Sequence, residues 1–287
     1  MNNRKALVTL AIGDTHKQLW WEKCQKGWQK YADKHGYDVI CIDTPLDDSE
    51  RARQRSPSWQ KCLILGQKFI EKYEQVIWVD ADVVINFEKA PCIASMVAVD
   101  KIGAVDAWSM PTAELAQVVL DRLYDHWGET CVIRDRTAQD YYRSYGLMDG
   151  FDQVVQTGVL VLSPRHHRHL LEKVYFDYEE TGKGNYEMRP LSYELLKADC
   201  VHWLDHRFNL VWLVYKVLYY PFLLDEPRKR NRILAQIKQK MFLVPPASTR
   251  SELDKLCVNA TFGNSYFLHF AGSLEDMDGC TSAIAVA

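Results

Sequence analysis

Residues 76–85, VIWVDADVVI, constrain this chain more than any other segment. Val76 to Val79 are β-branched or aromatic and read as a buried strand. The strand stops at two acids, Asp80 and Asp82, separated only by Ala81. In open α/β sheets, ligands gather beyond the carboxyl ends of the strands. Two carboxylates held there in apolar surroundings call for a cation, because a bare buried charge is costly. Oxygen ligands of this kind suit Mg²⁺ or Mn²⁺, with phosphate oxygens completing the shell. The plainer alternative is that Asp80 and Asp82 cap the next turn.

The rest of the chain supplies the sheet that such a strand needs. Strand-like runs at 6–12 and 38–43 flank a helical stretch at about 15–35, where Trp20, Trp21, Cys24 and Trp28 fall near helical spacing before Gly36. A polar, arginine-rich loop, 44–58, leads to a helix over about 59–73, with Ser58 as N-cap. Further strands are expected at 102–108, 156–162, 200–204 and 266–270, and Ser163-Pro164 opens another helix. Strands alternating with helices predict an α/β fold with a mostly parallel central sheet flanked by helices. A length of 287 residues fits a single domain over 1–287. The stretch from 108 to 156 fits the sheet pattern poorly and reads as an excursion with its own helix.

Composition narrows the partners. A net charge of −3 argues against nucleic acid. The eight cysteines are scattered with no CxxC pair, and residues 1–10 carry no signal-peptide or anchor pattern, so reduced cytoplasm is expected. Residues 208–224, FNLVWLVYKVLYYPFLL, are too short and too interrupted, by Lys216 and Pro221, for a span. They read as a buried helix before a basic loop with Arg228, Lys229, Arg230 and Arg232. The sharper reading is peripheral contact of 208–232 with the inner face of a membrane, aromatic rings at the headgroups beside basic side chains.

The letters DADVV also fit the nucleophile strand of haloacid-dehalogenase-like phosphatases, with Asp80 attacking phosphorus. That chemistry needs a later lysine and a further acidic pair. Asp276 and Asp278 are the nearest candidates, and here a full β-α-β-α unit precedes Asp80.

Six short blocks, in order, carry a resemblance. They are Thr9-Leu10-Ala11-Ile12-Gly13, Ser58-Trp59-Gln60-Lys61, VIWVDADVVI, Val155-Gln156-Thr157-Gly158-Val159-Leu160, Glu194 followed by Leu204-Asp205-His206-Arg207-Phe208-Asn209, and Leu268-His269-Phe270-Ala271-Gly272. Together the chain resembles the GT-A glycosyltransferases related to glycogenin and the bacterial lipopolysaccharide galactosyltransferases, which include retaining α-glycosyltransferases. The resemblance implies a Rossmann-like GT-A domain, donor-binding over about 1–107 and acceptor-side over about 108–287. It implies hexosyl transfer, with retention, from a nucleotide sugar, expected to be UDP-linked, to a hydroxyl of a glycan, glycolipid or protein.

It also implies roles. Asp80, Asp82 and His269 would be the metal ligands, and an imidazole beside two carboxylates favours Mn²⁺ over Mg²⁺. Ala11, Ile12, Gly13 and Asp43 would lie along the nucleoside, Lys61, Ala81 and Gly272 near the diphosphate. Asp106 and Gln156 would meet the transferred sugar. Glu194, or less strongly Tyr193, would face the anomeric carbon. Gln156 stands where related chains often carry Asn, and no basic residue follows Gly272 where they often have a lysine. These departures keep a non-catalytic nucleotide-sugar-binding relative in view. His166, His167 and His169 sit at a helix start, where neighbours point apart, and are not read as a metal site. Trp108, Trp127 and Trp212 are stacking candidates for sugar, though buried core is the commoner fate of tryptophan.

Overall fold

The computed structural model describes residues 4–127, 135–147, 150–180, 186–224 and 247–281. The apolar runs become strands where the sequence places them. β1 (Lys5–Leu10) pairs in parallel with β2 (Tyr37–Ile42) on one side and β3 (Gln75–Val79) on the other. Beyond β3 the chain continues through the short strand β4 (Val83–Ile85) to β5 (Ile102–Asp106), β6 (Val155–Leu162) and β7 (Val201–Trp203). The main sheet has six strands in the order β2-β1-β3-β6-β5-β7. β6 runs antiparallel to both β3 and β5, and every other pairing is parallel. The carboxyl ends of β1, β2, β3, β5 and β7 therefore share one edge with the start of β6. A second sheet of three strands joins β4, β8 (Leu210–Val211) and β9 (Phe267–His269), with β9 in the centre.

Both faces of the main sheet are covered, which is why its strands read as continuous apolar runs. Side chains alternate between two cores. Ile77 and Val79 pack with Trp20, Trp28 and Tyr31 on one face. Val76 and Trp78 pack with Trp59, Leu171 and Leu191 on the other.

The helical stretch expected at 15–35 is two helices, α1 (Asp14–Lys23) and α2 (Gln25–His35), divided at Cys24, whose thiol donates to Ala81 O. The segment expected as a helix over 59–73 winds instead as a 3₁₀ helix, Pro57–Gly66, capped by Ser56 rather than Ser58. It follows the short α3 (Glu50–Arg53). The excursion after β5 contains α4 (Ala113–Trp127) and α5 (Ala138–Arg143). α6 (Pro164–Asp177) starts at Ser163-Pro164, and α7 (Met188–Lys197) packs beside it.

Residues 208–224 are not one helix. A 3₁₀ turn, His206–Asn209, leads through β8 to α8 (Trp212–Tyr219) and a second turn, Pro221–Leu223. Among the described residues no helix is long and apolar enough to cross a membrane. Arg228, Lys229, Arg230 and Arg232, and the side chain of Trp127, lie outside the described residues.

Candidate functional site

Asp80 is the first residue after β3 and has the parity of Trp78, so both side chains stand on the same face. The Trp78 indole donates to Asp80 Oδ1 at 2.7 Å. Asp82 begins the return into β4. Its carbonyl accepts the Phe270 N–H at 3.1 Å, which sets β9 beside it. The pairing of Val83 with His269 brings the imidazole to the two acids. One ligand atom each from Asp80, Asp82 and His269 lies within 4.8 Å of the others.

The tautomer at His269 follows from its partner. Nδ1 lies 2.8 Å from Asn209 Oδ1, an acceptor, so Nδ1 carries the proton and Nε2 faces the carboxylates. Nε2 is 3.3 Å from Asp82 and 3.9 Å from Asp80. Gly158, opposite on β6, makes room for the ring: a Cβ there would fall 2.3 Å from His269 Cε1. Two carboxylates and an imidazole nitrogen, converging and oriented from behind by an amide, form a donor set that fits a divalent cation.

Charge around the cluster is unusual for a protein interior. Burial pushes the Asp80 carboxyl up, against the pull of Lys61 and His269. Burial acts on Asp82 in the same sense, but the contact with His269 brings its carboxyl below the ordinary value. His269 is buried, yet Asp82 and Asp80 raise its pKa. Of the three, the raised His269 pKa reports that the two carboxylates stabilise positive charge between them.

Lys61 is the nearest fixed cation. It is only 4% exposed. Its ammonium reaches Asp80 Oδ1 at 3.0 Å, Glu187 Oε1 at 2.8 Å and the Thr157 carbonyl at 3.4 Å. Burial would lower its pKa, but Asp80 and Glu187 together raise it. Glu187, at the start of α7, also accepts from the Thr157 hydroxyl at 3.2 Å and lies 3% exposed.

The remaining candidates divide into three places. Ala11, Ile12 and Gly13 follow β1 at the same sheet edge. Ala11 is buried and donates to Ile42 O, and Gly13 is the N-cap of α1. Asp43 follows β2 on the surface, where the Lys17 ammonium holds its carboxyl below the usual range. Gln156 precedes the Thr157-Gly158 pair. Its side-chain oxygen accepts the Gly158 N–H at 2.9 Å, and its carbonyl lies 3.4 Å from the Asn209 amide. Gly272 ends the turn after β9 with φ +71°, a left-handed conformation that favours glycine.

Asp106 lines a different part of the edge. A cavity of about 490 Å³ is bounded by Asp106, Ser109, Gln153, Trp203, Asp205 and His206, with Val105 and Leu204. Asp106 accepts from Trp108 N, Val154 N and the Ser109 hydroxyl, so its orientation is set by the turn it caps. The 3₁₀ turn that carries Asp205 and His206 also carries Asn209, so one short element borders both cavity and cation cluster.

Glu194 is not brought to the cluster. Its carboxylate accepts from Lys173 on α6 and from the Tyr178 hydroxyl. Tyr193 packs with Tyr142 and Phe151 in a separate aromatic group. Trp108 packs tilted against Tyr141, and Trp212 is buried and donates to Asp276. Of the histidine group, His167 is buried and accepts the Ser163 N–H at Nδ1. Glu187 was not anticipated from sequence, since one glutamate before a helix carries no signal of its own. Asn209 and Gly158 lay inside recognisable blocks but had no assigned task until the ring of His269 was placed between them.

Strand order, the lone reversed strand and the acidic pair after the third strand define a GT-A fold, the fold class expected from the sequence. No protein-family model matches the chain, and no curated protein sequence matches it. Among solved structures, this chain is similar to the apo form of WbbM, a bifunctional glycosyltransferase, with 11% identity and a TM-score of 0.51, covering 99% of this chain and 50% of that one. The chain thus spans about half of WbbM. It is also similar to a glycosyltransferase involved in glycosylation of the PBCV-1 major capsid, at 13% identity and TM-score 0.49, over 95% of this chain and 98% of that one. The galactosyltransferase LgtC, solved with donor and acceptor sugar analogues, gives 12% identity and TM-score 0.45, over 96% and 95%. At 11% identity the likeness to WbbM is one of fold.

Proposed function

We propose that this chain transfers a glycosyl group from a nucleotide sugar to a hydroxyl of a glycan acceptor. One observation carries the reading: Asp80, Asp82 and His269 converge at the carboxyl edge of a GT-A sheet, with the His269 tautomer set by Asn209. A divalent cation held there would supply Lewis acidity to the leaving diphosphate. The imidazole ligand favours Mn²⁺ over Mg²⁺.

The residues divide the work. Ala11, Ile12 and Gly13, with Asp43, border the place for the nucleoside, where the exposed N-terminus of α1 offers backbone N–H groups. Ala81 and Gly272 flank the diphosphate. Lys61, fully engaged with Asp80 and Glu187, acts on the donor through Asp80. Asp106, Asp205, His206 and the Trp203 ring line a cavity of about 490 Å³, a size suited to one or two sugar rings. UDP as the carrier, retention of configuration and a glycolipid or protein acceptor follow from the family resemblance and belong to the same proposal. So does a cytoplasmic setting. The phosphatase alternative has less support, because Asp276 is occupied by Lys216 and Trp212, and Asp278 pairs with Lys23.

Thermal stability with a panel of nucleotides and nucleotide sugars, each with Mn²⁺ or with EDTA, tests this reading. A nucleotide sugar at about 100 times its Kd adds roughly 2.7 kcal/mol to the folded state. The shift should require Mn²⁺, vanish in Asp82→Ala and accompany release of sugar from the donor. No metal-dependent shift with any nucleotide would sink the proposal, and phosphorylated Asp80 would replace it with phosphatase chemistry. A shift without turnover on any acceptor or water would leave a sugar-nucleotide-binding protein.

A further inference from the structure

We infer that Glu187 is a positioning residue for cation binding: it neutralises Lys61 so that Asp80 keeps its charge for the metal. The inference rests on the cation site proposed above and assigns a task to a residue outside it.

Lys61 and Glu187 are each less than 5% exposed, and the ammonium sits between Asp80 and Glu187 at 3.0 and 2.8 Å. A buried lysine facing Asp80 alone would cancel the charge of one metal ligand. The cluster would then offer a divalent ion a single net negative charge in surroundings that screen little. With Glu187 present, three carboxylates face one ammonium, and His269, which must be neutral at Nε2 to bind a cation, adds no charge to the loaded site. Two negative charges remain, which balance one divalent cation. The geometry supports the division of labour. Lys61 bonds Asp80 through Oδ1, the oxygen that also receives the Trp78 indole. Oδ2 is the Asp80 oxygen nearest His269 Nε2, at 3.9 Å. One oxygen is thus spent on orientation and the other is left for the ion. Glu187 is itself held by the Thr157 hydroxyl, one residue before the glycine that admits His269. Outer-shell partners of this kind commonly set metal affinity by about tenfold to a hundredfold.

The test is Mn²⁺ binding to the nucleotide-free full chain, read by the electron paramagnetic resonance signal of free Mn²⁺ at fixed pH. Glu187→Gln keeps the size of the side chain and one acceptor oxygen but removes its charge, and should weaken Mn²⁺ by about tenfold or more. Adding Lys61→Met to it removes the uncompensated ammonium, and wild-type affinity should return. A purely structural role predicts no such rescue. Undiminished Mn²⁺ binding by Glu187→Gln, beside a wild type that binds and an Asp82→Asn that does not, overturns this inference alone. If Glu187→Gln does not fold, the double variant decides: affinity near wild type supports charge balance, and loss as deep as in Asp82→Asn overturns it. A wild-type chain that binds no Mn²⁺ overturns the cation site and this inference with it.

Discussion

Two glutamates on the same helix have opposite surroundings. Glu187 caps the start of α7 and Glu194 lies on the next-to-last turn, two helical turns away and on the same buried face. Each accepts from a lysine. Lys61 is buried and shared with the acidic pair after β3. Lys173 has a side chain 42% exposed and serves Glu194 together with the Tyr178 hydroxyl. From sequence, Glu194 looks like the residue with chemistry, since it sits in an apolar helical pattern that resembles a family block. In space, Glu187 is the one connected to the cluster. A buried carboxylate takes its role from the charge that faces it, and that charge comes from a distant part of the chain.

Lysine removal gives the largest expected effect and exposes the difference directly. Lys61→Met strands the buried Glu187 and the half-buried Asp80 and should cost about 3–5 kcal/mol in urea unfolding. Equal losses at Lys61 and Lys173 would break the comparison.

A buried titratable group whose burial outweighs its charged neighbours sharpens it. His167, on the helix packed against α7, is pushed down to about 4 by burial. An unfolded histidine titrates near 6.5, so between these values the unfolded state binds the proton and the folded state does not. Stability should therefore be complete above about pH 6.5 and fall by about 2–3 kcal/mol towards pH 4. His167→Gln should flatten that part of a pH series of chemical unfolding. An unchanged slope would mean that the loss comes from carboxylates such as Glu187 and Glu194.

The ring of His269 is held by space as well as by Asn209. Gly158→Ala puts a Cβ into the imidazole and should cost about 1–3 kcal/mol by overpacking, with loss of the Mn²⁺-dependent thermal shift. The smallest effect belongs to the exposed partner. Lys173→Met should change stability by about 1 kcal/mol or less and leave the Mn²⁺ shift intact.

Much of the fold was legible because buried strands announce themselves. β1, β2, β3 and β5 fall within a residue or two of their apolar runs, and Ser163-Pro164 opens α6 where expected. The direction of β6 was not legible, since VQTGVLVL is equally apolar read either way and only its neighbours settle its sense. The break at Cys24 and the 3₁₀ winding after Pro57 also escaped, because both follow from packing against β4 and α6 rather than from local propensity. Residues 208–224 read as a single helix from hydropathy, yet Leu210 and Val211 are claimed by β9 as a strand.

The sequence by itself determined the acids after β3, the class of sheet that carries them and the histidine that resembles their partner. Those features are local, or repeat in a fixed order along the chain. Tertiary structure alone decided that Asn209 sets the histidine tautomer, that Gly158 leaves room for its ring and that Glu187 answers Lys61. These contacts join residues 60 positions apart for Asn209 and His269, 111 for Gly158 and His269 and 126 for Lys61 and Glu187. No local pattern encodes such a pairing. It exists because a buried charge or ring must find its complement wherever the sheet brings the chain together.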